Sequence, residues 1–177
     1  MLSIGQKFPE FKKLACVSIE LGKEFGDITS EDHKKDGKWM VMFWYPKDFT
    51  FICPTEIAEF NNQYEKFEEM NAMLYGASTD TEFVHLAWRN NDPQLRNLKF
   101  PLIADTSKSL AEELGILQPE KVAYRATFIV DPEGIIQWVN INNDGTGRNV
   151  DEVVRALKAT QTEEKTPCNW IPGQETL

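Results

Sequence analysis

Three observations predict an α/β fold, a central mixed β-sheet flanked by helices. Strand-like and helix-like patterns alternate along the 177 residues. The apolar runs are short and bounded by capping and turn signals. No repeat, low-complexity tract or long linker divides the chain, so one domain with a sizeable core is expected.

The elements follow in order. ACVSIEL and FGDIT, near the N-terminus, read as a small β-hairpin. WMVMFWY (39–45) is a continuous apolar run with aromatics, the pattern of a strand buried on both faces. Ile57, Phe60, Tyr64 and Phe67 then recur at steps of three and four, which predicts a helix. AMLYGAS (72–78) is the next strand. Thr79 with Glu82 has capping-box spacing and opens a helix through Trp88. PLIAD (101–105) is a short strand whose Asp105 can cap the helix SKSLAEEL, and Gly115 suits the end of that helix. ATFIV (126–130), the turn DPEG and IIQWVNI (135–141) form a hairpin. Asn149 with Glu152 caps a last helix, VDEVVRALKAT. Residues 1–162 are read as the domain and 163–177 as a C-terminal tail.

Composition removes several function classes. The formal charge is −9 with no large Lys/Arg cluster, which argues against nucleic acid or an anionic membrane as a partner. No apolar run approaches the roughly 18 residues of a membrane span. MLSIGQKFPEFKK lacks a basic stretch followed by an apolar one, so a cytoplasmic location is expected. Three cysteines, Cys16, Cys53 and Cys168, are too few and too scattered for a disulfide scaffold. With His33 and His85 the only histidines and no C-x-x-C, no metal site and no cofactor are expected.

Cys53 stands apart from the other two. Cys16 lies in an alternating strand pattern and reads as a buried structural residue. Cys53 falls between the apolar run at 39–45 and Pro54. With Thr50 as the N-cap it sits in the first turn of a helix, where free backbone N–H groups and the helix dipole favour an anion. That position alone makes a poor nucleophile. A thiol pKa lowered by about two units yields roughly twenty- to thirtyfold more thiolate. The accompanying fall in intrinsic nucleophilicity, with a slope of about 0.4 to 0.5, returns close to tenfold of it. A fast cysteine reaction therefore needs donors aimed at the charge that develops on the leaving atom.

The run from Pro46 to Cys53, P-x-x-x-T-x-x-C, resembles the active-site motif of the peroxiredoxins. The longer string YPKDFTFICPTE is similar to the alkyl hydroperoxide reductase C branch of typical two-cysteine peroxiredoxins. STDTEFVHLAW, FPLIAD, YRATFIVDPEG and GRNVDE resemble that branch in the same order, so the likeness spans nearly the whole chain. The resemblance implies a thioredoxin-like fold and a thiol-dependent peroxidase that reduces hydrogen peroxide and alkyl hydroperoxides. It makes Cys53 the peroxidatic cysteine, with Thr50 bonding the peroxide through its hydroxyl. Arg125 would stabilise the thiolate and the polarised O–O bond. Pro46 would shield the sulfur, Tyr45 would sit at the pocket wall, and Glu56 and Arg148 would orient Arg125. Trp88 and His85 read as packing residues.

The tail, EEKTPCNWIPGQETL, is polar and carries Cys168, an unusual setting for a free cysteine. By resemblance Cys168 is the resolving cysteine, attacking the Cys53 sulfenic acid of the partner subunit in an antiparallel dimer. Dimers are expected to form a ring, commonly a decamer. The segment reads T-P-C-N-W where the commonest family segment reads V-C-P; C-N-W is similar to a bacterial subset. Trp170 is expected to anchor the tail, on a partner or on its own core. Segment 89–99 lacks the G-G-L-G insertion and the chain ends without a Y-F helix, which implies resistance to over-oxidation. The reductant implied is thioredoxin, a flavoprotein disulfide reductase or an alkylhydroperoxidase D-type partner. A ring-shaped holdase or a peroxide-sensing relay is a reading of another class. A general thiol–disulfide oxidoreductase shares the fold class but expects C-x-x-C.

Overall fold

The computed structural model describes residues 1–177. Seven strands and six helices alternate: β1 (Lys12–Cys16), β2 (Phe25–Thr29), α1 (Asp32–Lys35), β3 (Trp39–Trp44), α2 (Cys53–Asn62), α3 (Tyr64–Glu69), β4 (Ala72–Ser78), α4 (Glu82–Asn91), β5 (Leu102–Ala104), α5 (Ser109–Leu114), β6 (Arg125–Val130), β7 (Ile136–Asn142) and α6 (Val150–Gln161). The strands form one sheet in the order β2-β1-β5-β4-β3-β6-β7. β3, β4 and β5 run parallel, and hairpin strands join antiparallel at both edges.

Strand alternation divides the core into two layers. Val41, Phe43 and Tyr45 face one cluster, with Cys53, Ile57, Phe60, Phe67 and Trp88. Met40, Met42 and Trp44 face the other, with Phe8, Leu110, Leu114 and Phe128. Helices cover both faces, which is why β3 reads as unbroken apolar sequence. In the first layer Phe43 stacks on Phe60 with centroids 4.0 Å apart. Gly76 makes room for that ring, since a Cβ there would meet Phe43 at 2.9 Å and Leu102 at 2.8 Å.

Several elements differ from the sequence reading. The first strand stops at Cys16, so the hairpin closes through a longer connection, 17–24. The helical pattern after Cys53 is broken at Gln63 into α2 and α3. Thr81, not Thr79, caps α4, its hydroxyl accepting from Val84 N at 3.2 Å. Asp80 is occupied elsewhere, accepting from Asp48 N and the Ser78 hydroxyl. The short α1, only four residues, has too little periodicity to show in sequence. Asp105 does serve α5: its carboxylate accepts from Leu110 N and Ala111 N, although Lys108 holds the N-cap position. Asn149 caps α6, accepting from Glu152 N.

The tail folds back on its own chain. Trp170 is 5% exposed. Its carbonyl accepts from Arg155 of α6 at 3.2 Å, and its indole N–H donates to the Gln174 carbonyl. Within the single chain Trp170 is thus docked against α6.

Candidate active site

The site forms where β3 ends and α2 begins, with β6 alongside. β3 delivers Pro46 at its C-terminal end, and the chain then turns through 47–52 before entering α2. Phe49 takes a left-handed backbone, φ 57°, an uncommon conformation for an aromatic residue and a local strain in the loop. Thr50 is not the N-cap. Its hydroxyl donates to the Lys47 carbonyl at 2.9 Å, and Ile52 holds the N-cap position with no side-chain cap bond. Cys53 is therefore the first residue of α2, with Pro54 second, where its missing N–H costs no helical bond.

Cys53 is fully buried by its neighbours yet borders a hollow of about 320 Å³ that opens to the surface. Pro46, Thr50 and Arg125 border the same hollow, with Lys47, Gln118, Glu120, Val122 and Asp144 completing the wall. β6 opposes β3, and its first residue, Arg125, projects Nη1 to 3.3 Å from the Cys53 sulfur. The same Nη1 donates to Glu56 Oε2 at 2.9 Å, and Nε donates to the Asp144 carbonyl at 2.8 Å.

Glu56 lies one helical turn beyond Cys53 and joins two arginines. Arg148 donates to it from Nη2 (2.8 Å), from Nε (3.1 Å) and from its backbone N–H (2.9 Å). The Arg148 guanidinium lies 5.3 Å from the centre of the Phe43 ring. Burial pushes the Glu56 carboxyl up, but Arg148 and then Arg125 outweigh it and hold it below the usual carboxylate range. Burial opposes the charge of Arg125, while the Cys53 sulfur and Glu56 hold the guanidinium firmly protonated. Arg125 and Arg148 share the single carboxylate of Glu56, and Arg125 presents its charge to the sulfur. An anion there is compensated without further rearrangement.

Cys53, Thr50, Arg125, Pro46, Glu56 and Arg148 are thus brought together. Tyr45 is not at the hollow. Strand alternation turns its ring into the core, where its hydroxyl donates to Asp48 Oδ1 at 2.8 Å, and His85 meets the other Asp48 oxygen at 2.6 Å. Cys168 is exposed, in a separate surface hollow with Glu152, Arg155 and Thr166. All three cysteines are free thiols. Cys16 is buried at 0% exposure and has an arginine of its own, Arg89, with Nη1 at 3.7 Å. Sequence reasoning missed Gln118 and Asp144. Asp144 acts on Arg125 through its main-chain carbonyl, for which no side chain carries a signal.

Comparison with known proteins extends the local motif to the whole chain. The model of the AhpC/TSA family matches residues 4–139. The chain is 44% identical to an alkyl hydroperoxide reductase C of Mycolicibacterium smegmatis, covering 100% of this chain and 94% of that protein. It is also 44% identical to a putative peroxiredoxin of Bacillus subtilis, covering 98% and 97%. Among solved structures it superposes on Mycobacterium bovis AhpC with a TM-score of 0.88, at 43% identity and with 96% and 98% of the chains covered. A reduced 2-Cys peroxiredoxin of Plasmodium vivax gives a TM-score of 0.91 at 32% identity, with 99% and 93% covered. Both likenesses give the sheet and its flanking helices a thioredoxin-like fold. The chain belongs to the AhpC/TSA family and is a peroxiredoxin of the alkyl hydroperoxide reductase C branch.

Proposed function

We propose that the protein is a thiol peroxidase in which Cys53 reduces hydrogen peroxide and alkyl hydroperoxides and Cys168 resolves the product. The observation that carries this reading is the Arg125 guanidinium on the Cys53 sulfur, inside an open hollow that Thr50 and Pro46 also border. The Cys53 thiolate attacks the terminal peroxide oxygen. The O–O bond breaks, Cys53 takes the terminal OH as a sulfenic acid, and the hydroxide or alkoxide leaves as water or an alcohol by taking up the proton that the Cys53 thiol released. Arg125 offers permanent charge to the oxygen that gains electrons. The Thr50 proton is engaged by the Lys47 carbonyl, so its oxygen is free to accept from the peroxide O–H and hold the substrate in line. Pro46, with no N–H, keeps that side of the sulfur dry.

The Cys168 thiolate then attacks the sulfenic sulfur, the S–O bond breaks, the hydroxide leaves as water with the proton that the Cys168 thiol released, and a disulfide forms. Cys53 is buried and Cys168 lies outside its hollow, so the step requires the first turn of α2 and the tail 163–177 to leave their docked positions. In this reading the partner subunit supplies Cys168, in an antiparallel dimer that assembles further into a decamer. A two-electron disulfide reductant such as thioredoxin, a flavoprotein disulfide reductase or an alkylhydroperoxidase D-type protein closes the cycle. No helix is long and apolar enough to cross a membrane, and the reading places the enzyme in the cytoplasm.

NAD(P)H-coupled peroxide reduction, run with each reductant in turn, tests the cycle. One reductant should support turnover of the wild type. Cys168→Ser should consume one equivalent of peroxide without forming the disulfide. Multiple turnovers by Cys53→Ser would overturn the assignment.

A further inference from the structure

We propose that Gln118 is a positioning residue for peroxide reduction, acting through Asp144 to hold the loop that aims Arg125 at Cys53. The inference rests on the role proposed above for Arg125. A guanidinium is a flat fork, and one anchor leaves it free to swing. Arg125 has two anchors. Nη1 meets Glu56, and Nε donates to the Asp144 carbonyl. The second anchor belongs to the loop joining β7 to α6, which contains Gly145 and Gly147 and is largely exposed at residues 143–147. Such a loop holds an arginine only if something holds the loop.

Gln118 does so from the opposite wall. Its side chain is buried, the residue being 7% exposed. Its amide nitrogen donates to Asp144 Oδ1 at 2.6 Å and to the Ala123 carbonyl at 3.1 Å. Both hydrogens are spent, so the amide has one orientation. Its backbone is fixed as well, because Gln118 N donates to the Val122 carbonyl and Lys121 N donates back to the Gln118 carbonyl. This closed turn is a post standing between α5 and β6. A donor at 118 thus ties the post to the loop, the loop carbonyl ties Arg125, and Arg125 meets the sulfur. Without a donor at 118 the loop loses its tie to the post through Asp144, and the buried Ala123 carbonyl is left without the amide, which is costly.

Three substitutions at 118 test this in the full-length protein, with second-order rate constants for Cys53 oxidation by hydrogen peroxide measured in stopped flow. Gln118→Leu removes the donor and should lower the rate constant about fivefold to tenfold, the effect of one buried hydrogen bond. Gln118→Lys restores donors for both acceptors and should bring the rate back to within about twofold of wild type. Gln118→Glu sets two carboxylates against each other. Glu supplies neither amide donor, so its rate should fall at least as far as that of Gln118→Leu. Disulfide formation with Cys168, followed on non-reducing gels, should keep its wild-type rate in all three. A wild-type rate in Gln118→Leu, equal losses in the Leu and Lys variants, or a wild-type rate in Gln118→Glu would each overturn the proposal. Arg125→Met is measured alongside. If it is as fast as wild type, the role of Arg125 fails; if it is slow while Gln118→Leu is normal, only the role of Gln118 fails.

Discussion

Two buried cysteines in this molecule each touch an arginine, and the pairs differ in everything else. Arg125 lies 3.3 Å from Cys53 and Arg89 lies 3.7 Å from Cys16. Arg89 spends Nε and Nη2 on the Leu95 and Leu98 carbonyls, and so closes the chain that follows α4. Cys16 keeps its proton, directing it at the Ser18 carbonyl at 3.5 Å, and burial pushes its thiol up against the pull of Arg89. No hollow reaches it among those lined by Cys53 or Cys168. At Cys53 the guanidinium is braced by a carboxylate and the sulfur borders open space. A guanidinium near a thiol is therefore not sufficient for chemistry. Space for a second oxygen, and a charge directed at that space, make the difference.

The largest expected effect breaks the comparison by removing the sulfurs. Cys53→Ser should lose all measurable peroxide turnover, while Cys16→Ser should keep the wild-type rate and lose about 1 to 2 kcal/mol of stability. Coupled turnover and chemical denaturation read the two effects, and a rate loss in Cys16→Ser would make the pairs equivalent after all. Next come the arginines. Arg125→Met should slow Cys53 oxidation about a hundredfold, as loss of a transition-state donor does. Arg89→Met should leave that rate intact and cost about 2 to 4 kcal/mol, because two buried carbonyls lose their donors. Timed alkylation with iodoacetamide, read by mass spectrometry, should then rank the thiols Cys168, Cys53, Cys16. Labelling of native Cys16 as fast as Cys53 contradicts the difference in access.

The smallest effects are in the pH dependence of stability, and the two sites move in opposite directions. Glu56 is depressed in the fold, so its stabilisation is complete above its unfolded value of about 4.3 and is lost as pH falls through the folded value. Cys16 is raised in the fold, so its contribution is complete below an unfolded value of about 8.5 and is lost as pH climbs toward the folded one. Thermal melts across pH should show Glu56→Gln flattening the acid limb and Cys16→Ala flattening the alkaline limb. The reverse assignment of limbs would be inconsistent with the structure.

Much of this was legible in sequence because local rules carried it. The apolar run of β3, the cap at Asn149 and the DPEG turn each need only a few neighbouring residues. The break at Gln63 was not legible, since Tyr64 and Phe67 continue the helical spacing across it. Thr50 is not the cap because α2 begins at Cys53, which puts the cap position at Ile52, two residues beyond it. Arg125 joins Cys53 across 72 residues, and only the resemblance selected it from the arginines. Arg89 shows why selection by residue type alone fails, for it too reaches a cysteine.

Glu56 stands a single turn beyond Cys53 on a helix with no side-chain cap. The carboxylate that braces Arg125 rides on the segment that, in the proposed cycle, unwinds to admit Cys168. On the proposed cycle, unwinding carries off both the sulfur and the brace, so the machinery that accepts one oxygen atom is dismantled by the motion that follows. A second peroxide arriving at the opened segment meets a sulfenic acid with no aimed guanidinium beside it. In that cycle the helix works as a one-shot trigger, re-cocked when reduction lets the turn wind again.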